Sequence, residues 1–179
     1  MGGSLAPDLA LKRPDLYRAV IGVEAGLGFG PMGEAMRPAL ALLHHPRISD
    51  DCKAASMWGL CAPTSPEKYR RETIWEYSQG APPVFEGDLY YYVIDHDMTD
   101  GRAQRIDTSR VAVYLLTGEY DPSVLPEDTW QLANQIKGAK FTEMKGLGHF
   151  GMIENFNALK KHLMPVLDEI AGKKPKRSK

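Results

Sequence analysis

Two short, almost wholly apolar runs constrain the fold of this 179-residue chain more than any other feature. Ala19–Val23 reads Ala-Val-Ile-Gly-Val, and Val111–Leu116 reads Val-Ala-Val-Tyr-Leu-Leu. Such runs are typical of strands that are buried on both faces of a parallel sheet. A third run, Lys140–Met144, alternates polar and apolar residues and predicts a strand nearer the sheet edge.

Helical patterns precede and separate these strands. Apolar residues at helical spacing predict a first helix that Pro14 ends, and Pro7 must lie near its start to be tolerated. A second pattern covers about Pro126–Ile136, and the last helix carries an apolar stripe from Phe156 to Ile170. This alternation indicates an α/β fold, in which a parallel sheet has helices on both faces.

The region from 26 to 110, between the first two strands, has a different character. Three glycines and Pro31 mark an irregular exit from the first strand. The region is rich in aromatic residues, and we interpret it as a helical insertion outside the sheet. Four helical stretches are predicted in it, around Met32–His45, Ser49–Cys61, Pro66–Ser78 and Pro83–His96.

The charge and hydropathy of the chain exclude several classes of partner. The formal net charge of −1 gives no general attraction to nucleic acid or to anionic lipid. No apolar run approaches the roughly 18 residues of a membrane span, and Met1–Ser4 opens no signal peptide. We therefore expect a cytoplasmic protein with no nucleic-acid or membrane partner. Residues 173–179 form a basic tail, which either is solvated or binds an anionic surface.

The cysteines and the clustered acidic residues do not predict a disulfide or a metal site. Cys52 and Cys61 fall in one predicted helix, which would hold them about 13 Å apart, too far for a disulfide. Asp95-His96-Asp97 contains metal-ligand types, but adjacent residues rarely converge on one ion. We interpret that segment as the exposed end of a helix, and we predict no metal and no cofactor.

Two titratable residues follow the ends of predicted neighbouring strands. Asp121 comes after Val111–Leu116, and His149 comes after Lys140–Met144. Reactive groups gather at the carboxyl ends of parallel strands, so we expect these side chains to meet. A carboxylate beside an imidazole fixes its tautomer and leaves the other nitrogen free as a general base. Taken singly, each has an ordinary reading, since Asp-Pro often starts a turn and a loop histidine often has no role.

Taken together, in acid-then-histidine order, these segments resemble the C-terminal part of the α/β-hydrolase superfamily. Residues 117–122 read Thr-Gly-Glu-Tyr-Asp-Pro and resemble the segment that carries the triad acid. Residues 148–155 read Gly-His-Phe-Gly-Met-Ile-Glu-Asn and resemble the histidine loop. The opening Met-Gly-Gly-Ser-Leu-Ala resembles the stretch just after the nucleophile. The resemblance covers the whole chain except the tail.

The resemblance implies a partial α/β-hydrolase fold with three strands and a helical cap. The core would comprise residues 1–25 and 111–172, and the cap, or lid, would be 26–110. Asp121 would be the triad acid and His149 the triad base.

The resemblance also implies where the remaining groups of the site lie. The nucleophile would be one residue before Met1, and this sequence does not contain it. Ser4 would lie one helical turn too far along the chain to replace it. The backbone N–H of Met1 matches the position that helps to form the oxyanion hole. Trp58 and Trp75 either line a substrate pocket under the cap or belong to the core of the cap.

Three functions remain open at this point. The first is a hydrolase that uses a serine, His149 and Asp121 on an ester, thioester, amide or C–C bond of a small molecule. The second is an inactive truncated or pseudo-hydrolase fragment that binds or assembles. The third is an unrelated doubly wound binding domain. In the first two we expect pairing with an N-terminal fragment or self-association, because a strand like Ala19–Val23 needs partners on both edges.

Overall fold

The computed structural model describes residues 1–42, 54–80 and 82–173, and it confirms an α/β fold. Three parallel strands lie in the order β1-β2-β3, namely β1 (Ala19–Val23), β2 (Ala112–Gly118) and β3 (Lys140–Met144). They coincide with the three predicted strands to within two residues.

Helices precede, connect and follow these strands. An insertion between β1 and β2, residues 26–110, is largely helical where it is described. The helices are α1 (Gly2–Lys12), α2 (Pro31–Leu42), α3 (Glu67–Ser78), α4 (Pro82–Tyr90), α5 (Pro126–Gln135), α6 (Gly151–Glu154) and α7 (Phe156–Ile170). Single turns of other helix types lie at Met57–Leu60, Tyr91–Asp95 and Ala103–Arg105.

The register of the strands brings their carboxyl ends to one edge of the sheet. Val23 is paired with Leu116, and Gly118 is paired with Met144. The loops that follow all three strands therefore begin side by side. This is the edge where Asp121 and His149 were expected to meet.

Two apolar clusters cover the two faces of the sheet, as predicted. On one face, Leu115 of β2 packs with Ala10 of α1 and Leu132 of α5. On the other face, Leu116 packs with Met144 of β3 and Leu159 of α7. The alternation of neighbouring β2 residues between the two clusters follows from the two-residue period of a strand.

Strand β1 is less buried than its composition suggests. Val20 is buried, but Ala19, Ile21 and Val23 on the opposite face are only half-buried. An apolar strand of this kind needs partners on both edges, and a partly open face is what we expect where one partner is missing. The physical reason is position, because among the described residues β1 pairs only with β2 and forms the edge of the sheet.

The segment around His96 corrects a second expectation. His96 is not at an exposed helix end but is buried, with 1% of its surface exposed. Its Nδ1 lies 3.1 Å from Oδ2 of Asp8, and its Nε2 lies 3.0 Å from the carbonyl oxygen of Gly26. The hydroxyl of Tyr91 also donates to Asp8. A buried polar group needs such partners, and these join α1 to the end of the insertion.

The charge of Asp8 is compensated within this cluster. Burial alone would raise the pKa of Asp8, but the hydrogen bonds from His96 and Tyr91 outweigh it and hold the pKa below its usual range. Both ring nitrogens of His96 face acceptor atoms. A buried cluster of hydrogen-bonded side chains therefore connects the insertion to α1.

Several expectations fall partly outside the described residues. The basic tail does so from residue 174 onward, as do Cys52 and residues 43–53 of the predicted helices.

Cys61 is buried as a free thiol. Pro7 lies in the second turn of α1, since the helix begins at Gly2. No helix in the described ranges is both long and apolar enough to cross a bilayer.

Candidate active site

Asp121 and His149 are hydrogen-bonded to each other at the carboxyl edge of the sheet. Nδ1 of His149 lies 2.8 Å from Oδ2 of Asp121. Asp121 is reached by the loop after β2, and His149 by the loop after β3. Asp121 is buried, whereas 23% of the His149 side chain is exposed. A carboxylate behind a partly accessible imidazole can orient the ring and stabilise its protonated form.

Two glycines allow close backbone approaches here, Gly118 between the loops after β2 and β3, and Gly148 between the loop after β3 and the insertion. A Cβ atom added at Gly118 would lie 2.3 Å from the carbonyl oxygen of Gly148. A Cβ atom added at Gly148 would lie 2.5 Å from the backbone of Leu60 and Ala62. Such distances are far below van der Waals contact. A larger residue at Gly118 would separate the two loops, and one at Gly148 would separate the loop after β3 from the insertion.

The second carboxylate oxygen of Asp121 is held by its own loop. Oδ1 accepts hydrogen bonds from the backbone N–H groups of Ser123 and Val124, at 2.7 Å and 3.1 Å. Burial would raise the pKa of Asp121, but the hydrogen bond and the charge of His149 outweigh burial and lower the pKa. Asp121 is therefore an ionised acceptor with a fixed orientation.

A cavity of about 130 Å³ lies in front of His149. Met1 and Ser4, at the start of α1, line one side of it together with Glu24, which directly follows β1. The insertion closes the other side with apolar and aromatic groups. These include Met57, Leu60, Tyr77, Phe85, Leu89 and Tyr92.

Trp58 and Trp75, the candidate pocket residues, do not line this cavity. The Trp58 ring stacks under the guanidinium of Arg70, 3.8 Å from its centroid. Trp75 is 64% exposed. The aromatic groups at the cavity are instead Tyr77, Phe85 and Tyr92. Helical periodicity could not distinguish them from the tryptophans, because it does not show which side of each inserted helix faces the sheet.

No metal centre is evident in this region. Within the ranges the structure describes, no group of three histidine, cysteine or acidic side chains is placed to hold an ion.

Comparisons with known proteins bear on the fold. Neither protein-family models nor curated proteins match the sequence. Solved structures do match over nearly the whole chain, each with probability 1.00. The enol-lactonase from Burkholderia xenovorans LB400 is 19% identical, with a TM-score of 0.73 and 93% of this chain covered. A thermophilic esterase from Thermogutta terrifontis is 18% identical, with a TM-score of 0.73 and 94% covered.

A third match is an α/β-hydrolase enzyme from a Medee basin deep-sea metagenome library, 14% identical, with a TM-score of 0.67 and 99% of this chain covered. This chain has an α/β-hydrolase fold. It spans only 62%, 62% and 64% of those three structures and corresponds to the C-terminal part of the fold. At these identities the matches establish the fold and not the activity.

In this α/β-hydrolase fold, Glu154 holds the histidine loop in place. The carboxylate of Glu154 is fully buried and accepts hydrogen bonds from the N–H groups of Gly148 and Phe150, on either side of His149, at 2.9 Å and 3.1 Å. Its other oxygen accepts from the N–H of Ala62 in the insertion. The backbone N–H of His149 donates to Leu60, 2.9 Å away.

Glu154 lies within the motif that resembles the histidine loop, but the motif does not predict a role for it. The available signal was an acidic residue in a segment that enters a helix, five residues after the histidine. That signal does not reveal that the carboxylate turns back to bind three backbone N–H groups.

We expect Glu154→Gln to lower the free energy of unfolding by about 1–3 kcal/mol, because the amide NH2 would face a backbone N–H that has lost its acceptor. Hydrogen exchange at Gly148 and Phe150 should also accelerate. Denaturant titration and exchange measured by NMR would check both effects. The matched control is Glu143→Gln, which removes only an exposed ion pair with Lys145. Equal effects of the two substitutions would contradict this role for Glu154.

Proposed function

We propose that this chain supplies the acid and the base of a hydrolase triad, with Asp121 as the acid and His149 as the base. The observation that most supports the proposal is their 2.8 Å hydrogen bond at the ends of adjacent parallel strands. Asp121 is held ionised by fixed donors, and His149 faces a cavity. The hydrolase fold of the chain makes this arrangement chemically meaningful.

The proposed reaction is acyl transfer to a serine and then to water. The serine would occupy the position directly before Met1. His149 would take the hydroxyl proton through Nε2 as Oγ bonds to the carbonyl carbon. Asp121 would stabilise the resulting imidazolium without taking the proton. His149 would then protonate the leaving group as its bond to carbon breaks, and water would release the acyl group by the same steps.

The backbone N–H of Met1 is proposed as one donor of the oxyanion hole. In support, Met1 and His149 line the same cavity, and Met1 immediately precedes α1. A backbone donor at this place would stabilise the negative charge on the carbonyl oxygen in the transition state.

The insertion of residues 26–110 is proposed to be the cap that covers the substrate. Its contribution to the cavity is mostly apolar and includes Phe85 and Leu89. We therefore propose a small ester, thioester, amide or cleavable C–C substrate with an apolar portion under the cap. An aromatic edge from Phe150, 4.8 Å between ring centroids, packs against His149 and limits its motion.

The edge of β1 is proposed to bind a strand from an N-terminal fragment or from a second copy of the chain. Its outer edge carries unpaired backbone groups in the described structure, and one face of the strand is only half-buried. Unpaired apolar edges favour association. We further propose that the protein acts in the cytoplasm, where the thiol of Cys61 would remain reduced.

An upstream segment that ends in Gly-x-Ser and is joined in frame before Met1 should give a hydrolase active on small activated esters. Asp121→Asn should lower kcat by about 10³–10⁴-fold, because the imidazole loses its orienting acceptor. His149→Ala should lower it at least as much. Initial-rate kinetics would measure both, and Asp15→Asn, an exposed carboxylate paired with Arg13, is the matched control.

The chain alone should not hydrolyse these esters in a manner that depends on His149, because it lacks the proposed nucleophile. Turnover that disappears in both Ser4→Ala and His149→Ala would assign the nucleophile to Ser4 instead. An inactive joined protein that folds correctly would favour the alternative of a pseudo-hydrolase that acts by binding.

We expect the 179-residue chain to occur in solution as a complex and not as a stable monomer. The physical reason is the half-buried face and free edge of β1. Analytical ultracentrifugation would measure the assembly state. A monomer that sediments as a compact particle and unfolds cooperatively would refute the association proposal.

A further inference from the structure

Glu24 occupies an unusual backbone conformation directly after β1. Its φ angle is +59°, and no other described residue except glycine has a positive φ. A side chain in this left-handed region costs of order 1–3 kcal/mol unless the surroundings compensate for it. The N–H of Glu24 nevertheless donates to Leu116 of β2, at 2.8 Å. The conformation therefore turns the side chain inward while the backbone remains attached to the sheet.

The carboxyl group of Glu24 is bound to the segment that leads to Asp121. The hydroxyl of Thr117 donates to Oε2 at 2.7 Å, and the N–H of Gly118 lies 3.1 Å from both carboxyl oxygens. The carbonyl of Gly118 in turn accepts from the N–H of Asp121. Glu24 is buried and also lines the cavity that contains His149.

The carboxyl groups of Glu24 and Asp121 thus belong to one buried cluster, since Glu24 accepts from Thr117 and Gly118, and the carbonyl of Gly118 accepts from the N–H of Asp121. Like charges so close together cannot both ionise at neutral pH. Burial, then the hydrogen bond and charge of Asp121, raise the pKa of Glu24 to about 9. Asp121 has the better donors for an ionised group, because His149, Ser123 and Val124 all donate to it.

We infer that Glu24 is a positioning residue, whose carboxyl group stays protonated at neutral pH and donates a hydrogen bond to the Asp121 carboxylate. The inference rests on the proposed roles of Asp121 and His149. It adds a proton donor behind the triad acid. Asp121 then accepts from its own loop, from the imidazole and from Glu24, so that its orientation is fixed on every side.

The neutral state of Glu24 also limits the negative charge near His149. A second carboxylate beside Asp121 would favour the protonated form of the His149 ring. A ring that already carries both protons cannot accept the proton of a nucleophile, so less His149 would be able to act as a base at neutral pH. The other titratable groups at the cavity are Asp88, Tyr77 and Tyr92 of the insertion, together with the amino group of Met1.

Infrared spectroscopy of the wild-type chain tests the protonation directly. A carbonyl stretch of a protonated carboxylic acid should be present at pH 7 and should disappear as the pH rises through about 9. Labelling glutamate with ¹³C in the carboxyl group should shift this band, and labelling aspartate should not. A folded chain without the band, or a band that moves only with labelled aspartate, would overturn the inference.

Glu24→Gln provides the second test, because glutamine has the shape and hydrogen-bonding groups of a protonated glutamate. The His149 resonance is identified by its loss in His149→Asn. Its titration midpoint should change by less than about 0.3 pH unit in Glu24→Gln, since no charge is removed. A fall of about one pH unit would show that Glu24 is ionised and would overturn the inference.

The matched control is Glu119→Gln, since Glu119 lies in the loop that carries Asp121 but is partly exposed and paired with Lys145. This substitution should leave both the infrared band and the His149 titration unchanged. These readouts need no substrate and no nucleophile. A joined protein that is inactive but keeps the band would refute the proposed function, whereas an active one without the band would refute only the role of Glu24.

Discussion

The site depends on a backbone contact between the loops that follow β2 and β3. A Cβ atom at Gly118 would lie 2.3 Å from the carbonyl oxygen of Gly148, so the two loops are closer than a side chain at Gly118 would permit. The parallel register sets the loops side by side, and the missing side chain of Gly118 lets them touch. Asp121 and His149 are each placed within a few residues of this contact. The backbone geometry of the two loops therefore favours their 2.8 Å bond.

Buried carboxyl groups hold the surrounding segments in position. Glu154 binds the histidine loop to the insertion, Glu24 binds the end of β2 to the end of β1, and Asp8 binds α1 to His96. In a poorly solvated interior each of these groups must be paired or neutral. Each consequently fixes the geometry of its partners, which explains how a site made of loops can have fixed donors and acceptors.

The strands and the meeting of Asp121 with His149 could be predicted because both depend on local patterns. Continuous apolar residues identify β2, and the topology of a parallel sheet places the residues that follow β2 and β3 at the same edge. The environment of His96 could not be predicted, since its partner Asp8 is 88 residues away along the chain. The exposure of Trp75 could not be predicted for a related reason, because helical spacing does not show which face of an inserted helix meets the sheet. The composition of β1 indicates a strand that needs partners on both edges, and among the described residues it pairs with β2 only.

The central claim is that Asp121 holds His149 in the tautomer that leaves Nε2 free to act as a base. NMR of the His149 ring at neutral pH tests it most directly, with the signal distinguished from that of His96 by its loss in His149→Asn. We expect a proton on Nδ1 with a strongly downfield resonance, which moves upfield in Asp121→Asn. A ring that carries its proton on Nε2, or a resonance that is indifferent to Asp121, would contradict the account.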